Sequence, residues 1–438
     1  MKPAIVVVLV LSILSGILFW AYSSRVFNQK PAEEKNKQIT LTFWGLWDDE
    51  QTLKPVIEAY QQNHPNVKIN YSKQSLLNYR TRLQTQIRAG QGPDIFVIHG
   101  SWVRPMFLND LTPAPASVFK TTDYTQSFYP IFKDILTSGD RIYGVSMEAD
   151  GLALYYNEDI LRAANVNPPK TWQEFMDAAK KMTVKNQDGQ IQTAGAALGT
   201  TTNVDFWPEI IGLLFLQQPN VNLASPATKE GAEVLQFYTS FVTDPRTKTW
   251  DTTMLSSTSM FAQGKLAFYF APARQAQIIK NTNPNLNFKT APVPQLPGGN
   301  IAWGSFWAQA VSASSANSDQ AWEFLKYLTS PAGLQLTYQQ QTQTRIGYPF
   351  PRVDMAGLLV NDPILGTYIA QAPIAKAWYL NSGTQDAGIN DEMIKIYEQA
   401  VNSTLGSGDA LGALGAASGP IAQTLEKYQP RPVPVVTK

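Results

Sequence analysis

Between residues 39 and 98 the spacing of apolar residues switches repeatedly between a period of two and a period near 3.6, and this alternation restricts the fold more than any other property of the chain. Ile39, Leu41 and Phe43 alternate as on a strand with one buried face, and Leu53, Val56, Ile57 and Tyr60 then mark one side of a helix. Val67, Ile69 and Tyr71 alternate again. Tyr79, Leu83 and Ile87 line a second helix that stops at Gly90, a residue suited to a helix C-terminus. The apolar run at residues 95–98 reads as a strand covered on both faces. Strands alternating with helices predict an α/β architecture with a largely parallel sheet, in which ligands sit in loops beyond the carboxyl ends of the strands.

A further helix start lies at Thr171-Trp-Gln-Glu174, where Thr and Glu three residues apart form a capping box and Pro168-Pro169 block any helix from running in from upstream. Phe175, Ala178, Ala179 and Met182 then share one face. With the preceding stretch Tyr143-Gly-Val-Ser-Met-Glu-Ala-Asp-Gly-Leu-Ala-Leu-Tyr-Tyr-Asn157, this helix resembles the lobe-crossing segment of family 1 extracellular solute-binding proteins, the group that contains maltose-binding protein. Three more segments resemble that family in its order and spacing. Gly92-Pro93-Asp94-Ile95-Phe96-Val97 is similar to its Gly-x-Pro-Asp approach to a strand. Met260-Phe-Ala-Gln-Gly264-Lys-Leu-Ala-Phe268 is similar to its helix-Gly-strand unit. Residues 312–331 resemble the helix after its second crossing.

The resemblance implies a two-lobed, type II periplasmic-binding-protein-like fold, with lobes of mixed, mostly parallel sheet flanked by helices. Three crossings are expected near residues 148–152, 302–308 and 344–351. Lobe one would comprise residues 38–148 and 308–345, and lobe two residues 149–307 and 346–428. Several crossing strands make a hinge that bends without letting the lobes separate, and hinge closure is a known motion of periplasmic binding proteins.

Composition supports two cores and narrows the partners. The 438 residues exceed the usual size of one domain, and 44% are hydrophobic. Thirty-five basic against 34 acidic residues supply no field for nucleic acid. A neutral small molecule fits better. Absence of cysteine excludes disulfides and thiolate metal sites, and two histidines, His64 and His99, exclude a multi-histidine metal cluster. No cofactor is expected, and no Gly-x-x-x-x-Gly-Lys-Ser/Thr pattern offers an ATP site.

Residues 4–22 are an uncharged, predominantly apolar run between Lys2 and Arg25, long enough to span a bilayer. A secretory signal usually has a shorter apolar region and a small-residue cleavage site. Residues 1–23 therefore read as a membrane anchor or signal segment, with an uncleaved transmembrane helix favoured. Residues 24–37 read as a polar stalk and residues 429–438 as a proline-rich tail. Either choice places the rest of the chain outside the cytoplasm. Without cysteine it is not a lipoprotein.

A sugar cleft needs flat apolar surfaces for the carbon faces of the rings and fixed polar groups for the hydroxyls. The loops carry both. Trp44, Trp47 and Asp48 follow the first strand, His99 and Trp102 follow the strand at residues 95–98, and Glu148 and Asp150 flank the first expected crossing. Trp303, Ser305 and Trp307 sit at the second. Arg274, Arg345, Trp207 and Trp378 complete the candidate set. One of Trp44 and Trp47 is expected in the core, Asp48 could equally cap the following helix, and His99 could be a structural histidine. Arg274 and Arg345 suit hydroxyls, a carboxylate or a surface salt bridge.

The resulting expectation is a monomeric binding component that captures a sugar, an oligosaccharide first, between its lobes and delivers it to an ABC permease. A phosphorylated or acidic solute is the second reading. Glycoside hydrolysis is the competing class, but it needs carboxylates on opposite sides of the scissile bond, and Glu148 and Asp150, two apart on a strand, point to one face. No catalytic activity is expected.

Overall fold

β1 (Ile39–Gly45) turns Leu41 and Phe43 into a buried layer and Thr40 and Thr42 outward, as alternation requires. α1 (Glu50–Asn63) covers that layer with Leu53, Val56, Ile57 and Tyr60. β2 (Val67–Lys73), α2 (Tyr79–Arg88) and β3 (Ile95–His99) follow in the predicted order, and Gly90 takes a left-handed φ of +70° just past α2. Asp94 fixes the approach to β3, accepting from Thr42 N and Thr42 Oγ1 at 2.8 Å and from Ser315 Oγ at 2.6 Å. α3 (Pro130–Leu136) and a short hairpin of β4 (Thr137–Ser138) and β5 (Arg141–Ile142) lead to β6 (Ala153–Asn157).

α4 (Trp172–Met182) starts on the predicted capping box: Glu174 N donates to Thr171 Oγ1 at 3.2 Å, and the Glu174 carboxylate accepts from Thr171 N at 3.3 Å. β7 (Val184–Lys185), β8 (Ile191–Ala196), α5 (Trp207–Gln217), α6 (Lys229–Thr243), β9 (Leu266–Ala271) and β10 (Phe288–Ala291) come next. β11 (Ala302–Trp303), β12 (Trp307–Val311), α7 (Ser318–Leu328) and α8 (Pro331–Gln341) precede β13 (Ala375–Lys376), α9 (Ile389–Ser407) and α10 (Ala410–Lys427).

This computed structural model describes residues 38–429. The chain forms two lobes, each on its own sheet: one ordered β12-β3-β1-β2, the other β10-β6-β9-β8-β7. α7 and α8 pack with α1 on the first, whereas α9 and α10 pack with α5 and α6 on the second. In the first sheet β1 pairs parallel with β2 and β3, and β12 joins β3 antiparallel. The second departs from the mostly parallel expectation, because only β8 and β9 run parallel. β6 leaves the junction between the lobes while β9 returns to it, so Ala153 faces Ala271 in opposed directions.

At that junction the backbones are stitched together. Val145 bridges Gln309, Gly151 bridges Gly304, and Ala149 N donates to Pro349 O at 2.9 Å. Among the described residues no helix is long and apolar enough to cross a membrane. The segments 1–23 and 24–37, and the tail from residue 430, lie outside the described residues.

Candidate ligand-binding cleft

The first wall of the cleft is the turn after β1. A Cβ at Gly45 would lie 2.0 Å from Tyr71 Oη, so only glycine lets the tyrosine cross beneath the turn and donate to Asp48 O at 2.6 Å. Trp47 and Asp48 follow. Asp48 does not cap α1: its carboxylate pairs with Arg345 and accepts from Gln341 Nε2 at 3.2 Å. Asp49 holds the N-cap position without a capping bond and instead meets Lys73 at 2.7 Å.

The opposite wall comes from the end of β9. Arg274 reaches back across the junction, pairs with Glu148, and lies 4.4 Å from the centroid of the Trp47 ring and 5.1 Å from that of Tyr348. A guanidinium held against two aromatic faces is a favourable cation–π geometry, stronger where water is excluded. Glu148 is 4% exposed; burial raises its pKa, and the charge on Arg274 opposes that rise. Trp307 packs edge-on against Trp47 at 5.3 Å.

These residues, with Gln309, enclose a cavity of about 20 Å³, room for one water or one hydroxyl. Four buried polar atoms around it have no hydrogen-bond partner among the described residues: Glu148 Oε2, Gln309 Oε1, Arg274 Nη1 and Trp47 Nε1. Two are acceptors and two are donors. Buried polar atoms are rarely left unpaired, so this cluster marks a place built for an external polar group.

His99 and Asp150 support these walls. His99 Nδ1 accepts from Ser101 N at 3.3 Å, Nε2 lies 3.1 Å from Ser305 Oγ, and the ring packs edge-on to Trp307 at 5.1 Å. Burial, with Arg274 nearby, pushes its pKa down to about 3 and keeps the ring neutral. Asp150 Oδ1 accepts from Gly151 N at 2.7 Å and Ala273 N at 2.9 Å, fixing the turn that presents Arg274. Its pKa is pushed up to about 7 by burial and the charge of Glu148.

Five of the expected tryptophans lie elsewhere. Trp303 is 1% exposed, and its ring sits where a Cβ on Gly212 of α5 would be, 2.3 Å away, so glycine in that helix makes room for the buried indole. Trp207 opens α5 and is 6% exposed. Trp102 is fully buried behind Trp307, edge-on at 5.2 Å. Trp44 alternates to the face of β1 opposite Phe43, half-buried against the core. Trp378 lines a separate groove. Tyr348 and Gln309 were not anticipated. Gln309 had a signal, a polar residue inside the apolar strand Trp307-Ala-Gln-Ala-Val311.

Away from the cavity, the loop before α9 clasps the first lobe. Arg80 of α2 donates to Asp386 O at 2.7 Å and Ala387 O at 3.1 Å, and Asn390 Nδ2 donates to Ser101 Oγ at 2.9 Å. Gln385 and Ala387 both have left-handed φ, 45° and 44°; for alanine that is a costly conformation, held by these bonds.

Two lobes, a cleft between them and an unpaired polar cluster inside it agree with the comparison to known proteins. The family described as bacterial extracellular solute-binding protein matches residues 44–335. This chain belongs to that family. A binding protein of Brucella abortus is 24% identical to it over 282 residues, 63% of this chain and 68% of the relative. The maltotriose-binding protein of Pyrococcus abyssi is 24% identical over 292 residues, 64% and 60% of the two chains. Among solved structures, the sugar-binding protein MalE of Xanthomonas citri superposes with a TM-score of 0.72 at 19% identity, covering 89% of this solute-binding chain and 98% of its own.

Proposed function

We propose that this protein is the extracytoplasmic binding component of an ABC importer, and that it captures a neutral sugar between its lobes for delivery to a membrane permease. One observation carries the choice of ligand. The cavity presents two unpaired donors and two unpaired acceptors beside the rings of Trp47, Trp307 and Tyr348. A hydroxyl both gives and accepts a hydrogen bond, and a sugar ring adds an apolar face for an indole. Arg274 and Arg345 each carry their own carboxylate, Glu148 and Asp48, so the site holds no surplus cation for a phosphate or an acid. Similarity to maltotriose-binding and other sugar-binding proteins supports the same reading.

The ligand set is Trp47, Asp48, Glu148, Arg274, Trp307 and Arg345, with Tyr348 and Gln309 added. His99, Asp150 and Ser305 position them. The chain crosses between lobes at residues 148–152, 302–308 and 344–351, which gives the lobe boundaries 38–148 with 308–345 and 149–307 with 346–428. Residues 1–23 tether or export it. The protein acts as a monomer and makes no covalent change in its ligand.

Opening about the crossings lifts Arg274 off Trp47, and a ligand touching both walls favours closure. Binding shifts a population only as far as the two states differ in affinity. Purified protein titrated with maltotriose, raffinose and mannobiose should show a rise in melting temperature with at least one, since a ligand at 100 times its dissociation constant adds about 2.7 kcal/mol. Stabilisation by sugar phosphates but by no neutral sugar would reverse the ligand assignment.

A further inference from the structure

One carboxyl group in the core of the second lobe uses only one of its oxygens. Glu209 lies in the first turn of α5 and is 5% exposed. Its Oε1 accepts from Ser382 N at 2.6 Å and from Ser382 Oγ at 2.8 Å, whereas its Oε2 is buried without a partner among the described residues. The residue before Ser382 has the same deficit. Asn381 Nδ2 donates to Trp378 O at 2.7 Å and to Asn390 Oδ1 at 3.1 Å, which fixes the orientation of the amide and leaves its buried Oδ1 an acceptor with no donor.

Among the described residues no cation pairs with Glu209. The titratable groups on the elements around α5 have other partners. Tyr269 of β9 lies 2.6 Å from Thr258 Oγ1, Tyr238 of α6 donates to Thr200 O at 2.8 Å, and Tyr397 of α9 donates to Leu223 O at 2.7 Å. Lys376 of β13 meets Asp134, Asp391 of α9 accepts from Ala387 N at 2.7 Å, and Asp205, just before α5, accepts from Ser257 Oγ at 3.0 Å. Ionised, Glu209 is therefore a buried charge with one oxygen unpaired, and burial pushes its pKa up to about 7 against the pull of the Ser382 donors. A proton on Oε2 removes the charge and makes that oxygen a donor, one residue away from an acceptor that lacks one.

The loop that Glu209 holds is the one that clasps the first lobe. Ser382 leads into Gln385 and Ala387, whose left-handed backbones are kept in place by the bonds from Arg80 to Asp386 O and Ala387 O. One end of the loop is fastened to lobe two by a carboxyl group, the other to lobe one by a guanidinium. Opening the cleft parts Arg80 from those carbonyls, lets the two strained residues relax and admits water to Glu209. From this arrangement we infer that Glu209 is a proton-dependent anchor of the clasp, seating the loop when neutral and releasing it when ionised. Closure itself then responds to pH, whatever the ligand.

The sign follows from the direction of the shift. The closed state raises the Glu209 pKa above its ordinary 4.5, so its contribution to closure is fully present below about pH 4.5 and is lost as pH rises through about 7. Small-angle scattering of the ligand-free protein from about pH 5.5 to about pH 8.5 tests it. The radius of gyration should grow with a midpoint near pH 7 in the parent and keep its acid value in Glu209→Gln, whose amide retains the acceptor for Ser382, adds a permanent donor and cannot ionise. Ser382→Ala removes a donor that favours the ionised form, so it should move the midpoint to higher pH, and it serves if Glu209→Gln does not fold. A parent radius that is constant with pH, an unshifted midpoint in Ser382→Ala, or the same expansion in Glu209→Gln would overturn the assignment, the last by placing the switch at another group such as Asp150.

Discussion

Trp102 Nε1 donates to Asp386 Oδ2 at 3.0 Å, tying together two buried side chains 284 positions apart on opposite lobes. The same carboxylate accepts from Gly388 N and Asn390 Nδ2 at 2.8 Å, so Asp386 organises the start of α9 while reaching across the cleft. Trp102→Phe keeps most of the packing and removes the donor. Asp386 Oδ2 keeps its bond from Asn390 Nδ2, so the variant loses one donor to that oxygen, a net cost of about 1.5 kcal/mol that falls on the closed form. Small-angle scattering should show a larger radius of gyration for the ligand-free variant, and ligand affinity should fall about tenfold. An unchanged scattering curve would mean that the bond does not hold the lobes together.

Arg274 should tolerate no substitution. Lysine keeps the charge but loses the planar contact with Trp47 and the fork that meets Glu148, so Arg274→Lys should weaken binding by at least about tenfold without lowering the melting temperature of the free protein by more than a few degrees. Arg274→Ala also removes the charge that opposes the rise in the Glu148 pKa, and should drive that group further toward its neutral form. The carboxyl stretch in infrared difference spectra reports that change.

Asp150 makes stability depend on pH in a direction that can be worked out. Its pKa is raised in the folded state to about 7 from an ordinary 3.8, so the folded chain holds a proton that the unfolded chain releases. Its contribution is fully present below about pH 4 and is lost as pH rises toward 7. Asp150→Asn keeps the acceptor for Gly151 N and Ala273 N and cannot ionise. Denaturant melts from pH 4 to 8 should show the variant gaining stability relative to the parent up to about pH 7 and no further. A constant difference across that range would rule out a neutral Asp150.

Gly151 lies where two junction segments approach closely. A Cβ there would stand 2.0 Å from Trp303 O, the atom that accepts from Leu152 N at 3.0 Å. Gly151→Ala must push the paired segments apart and should destabilise the protein by more than about 2 kcal/mol, measured by equilibrium unfolding. Gly383→Ala, at a glycine with open space around it, is the control and should cost little.

Local rules carried the first lobe well. The period changes from Ile39 to Ile98 gave each element of the parallel core, and the Thr171–Glu174 pair located α4, because both signals depend on neighbours in the chain. The direction of β6 against β9 was not legible, since strand polarity within a sheet follows from where the chain enters the lobe and leaves no mark on the strand itself. Among tryptophans, sequence could not separate Trp307, at the cavity, from Trp303 four positions earlier. Their difference lies in Gly212, remote in the chain, which opens a slot for one of them. Arg274 entered the candidate set from its place after a strand, where members of the resembled family often contact ligand, whereas Tyr348 belongs to an irregular segment where periodicity has nothing to report.

The antiparallel seat of β12 against β3 governs the order in which the molecule can be made. During synthesis β3 emerges early, but the strand that covers its outer edge arrives only after residues 149–306, the larger part of the opposite lobe, have left the ribosome. Until then Ile95-Phe-Val-Ile-His99 is an unpaired, strongly apolar edge, the kind of template on which nascent chains add to one another. Any interruption before residue 307 therefore leaves a fragment prone to aggregate, and the half that begins first cannot be closed until most of the other has been made.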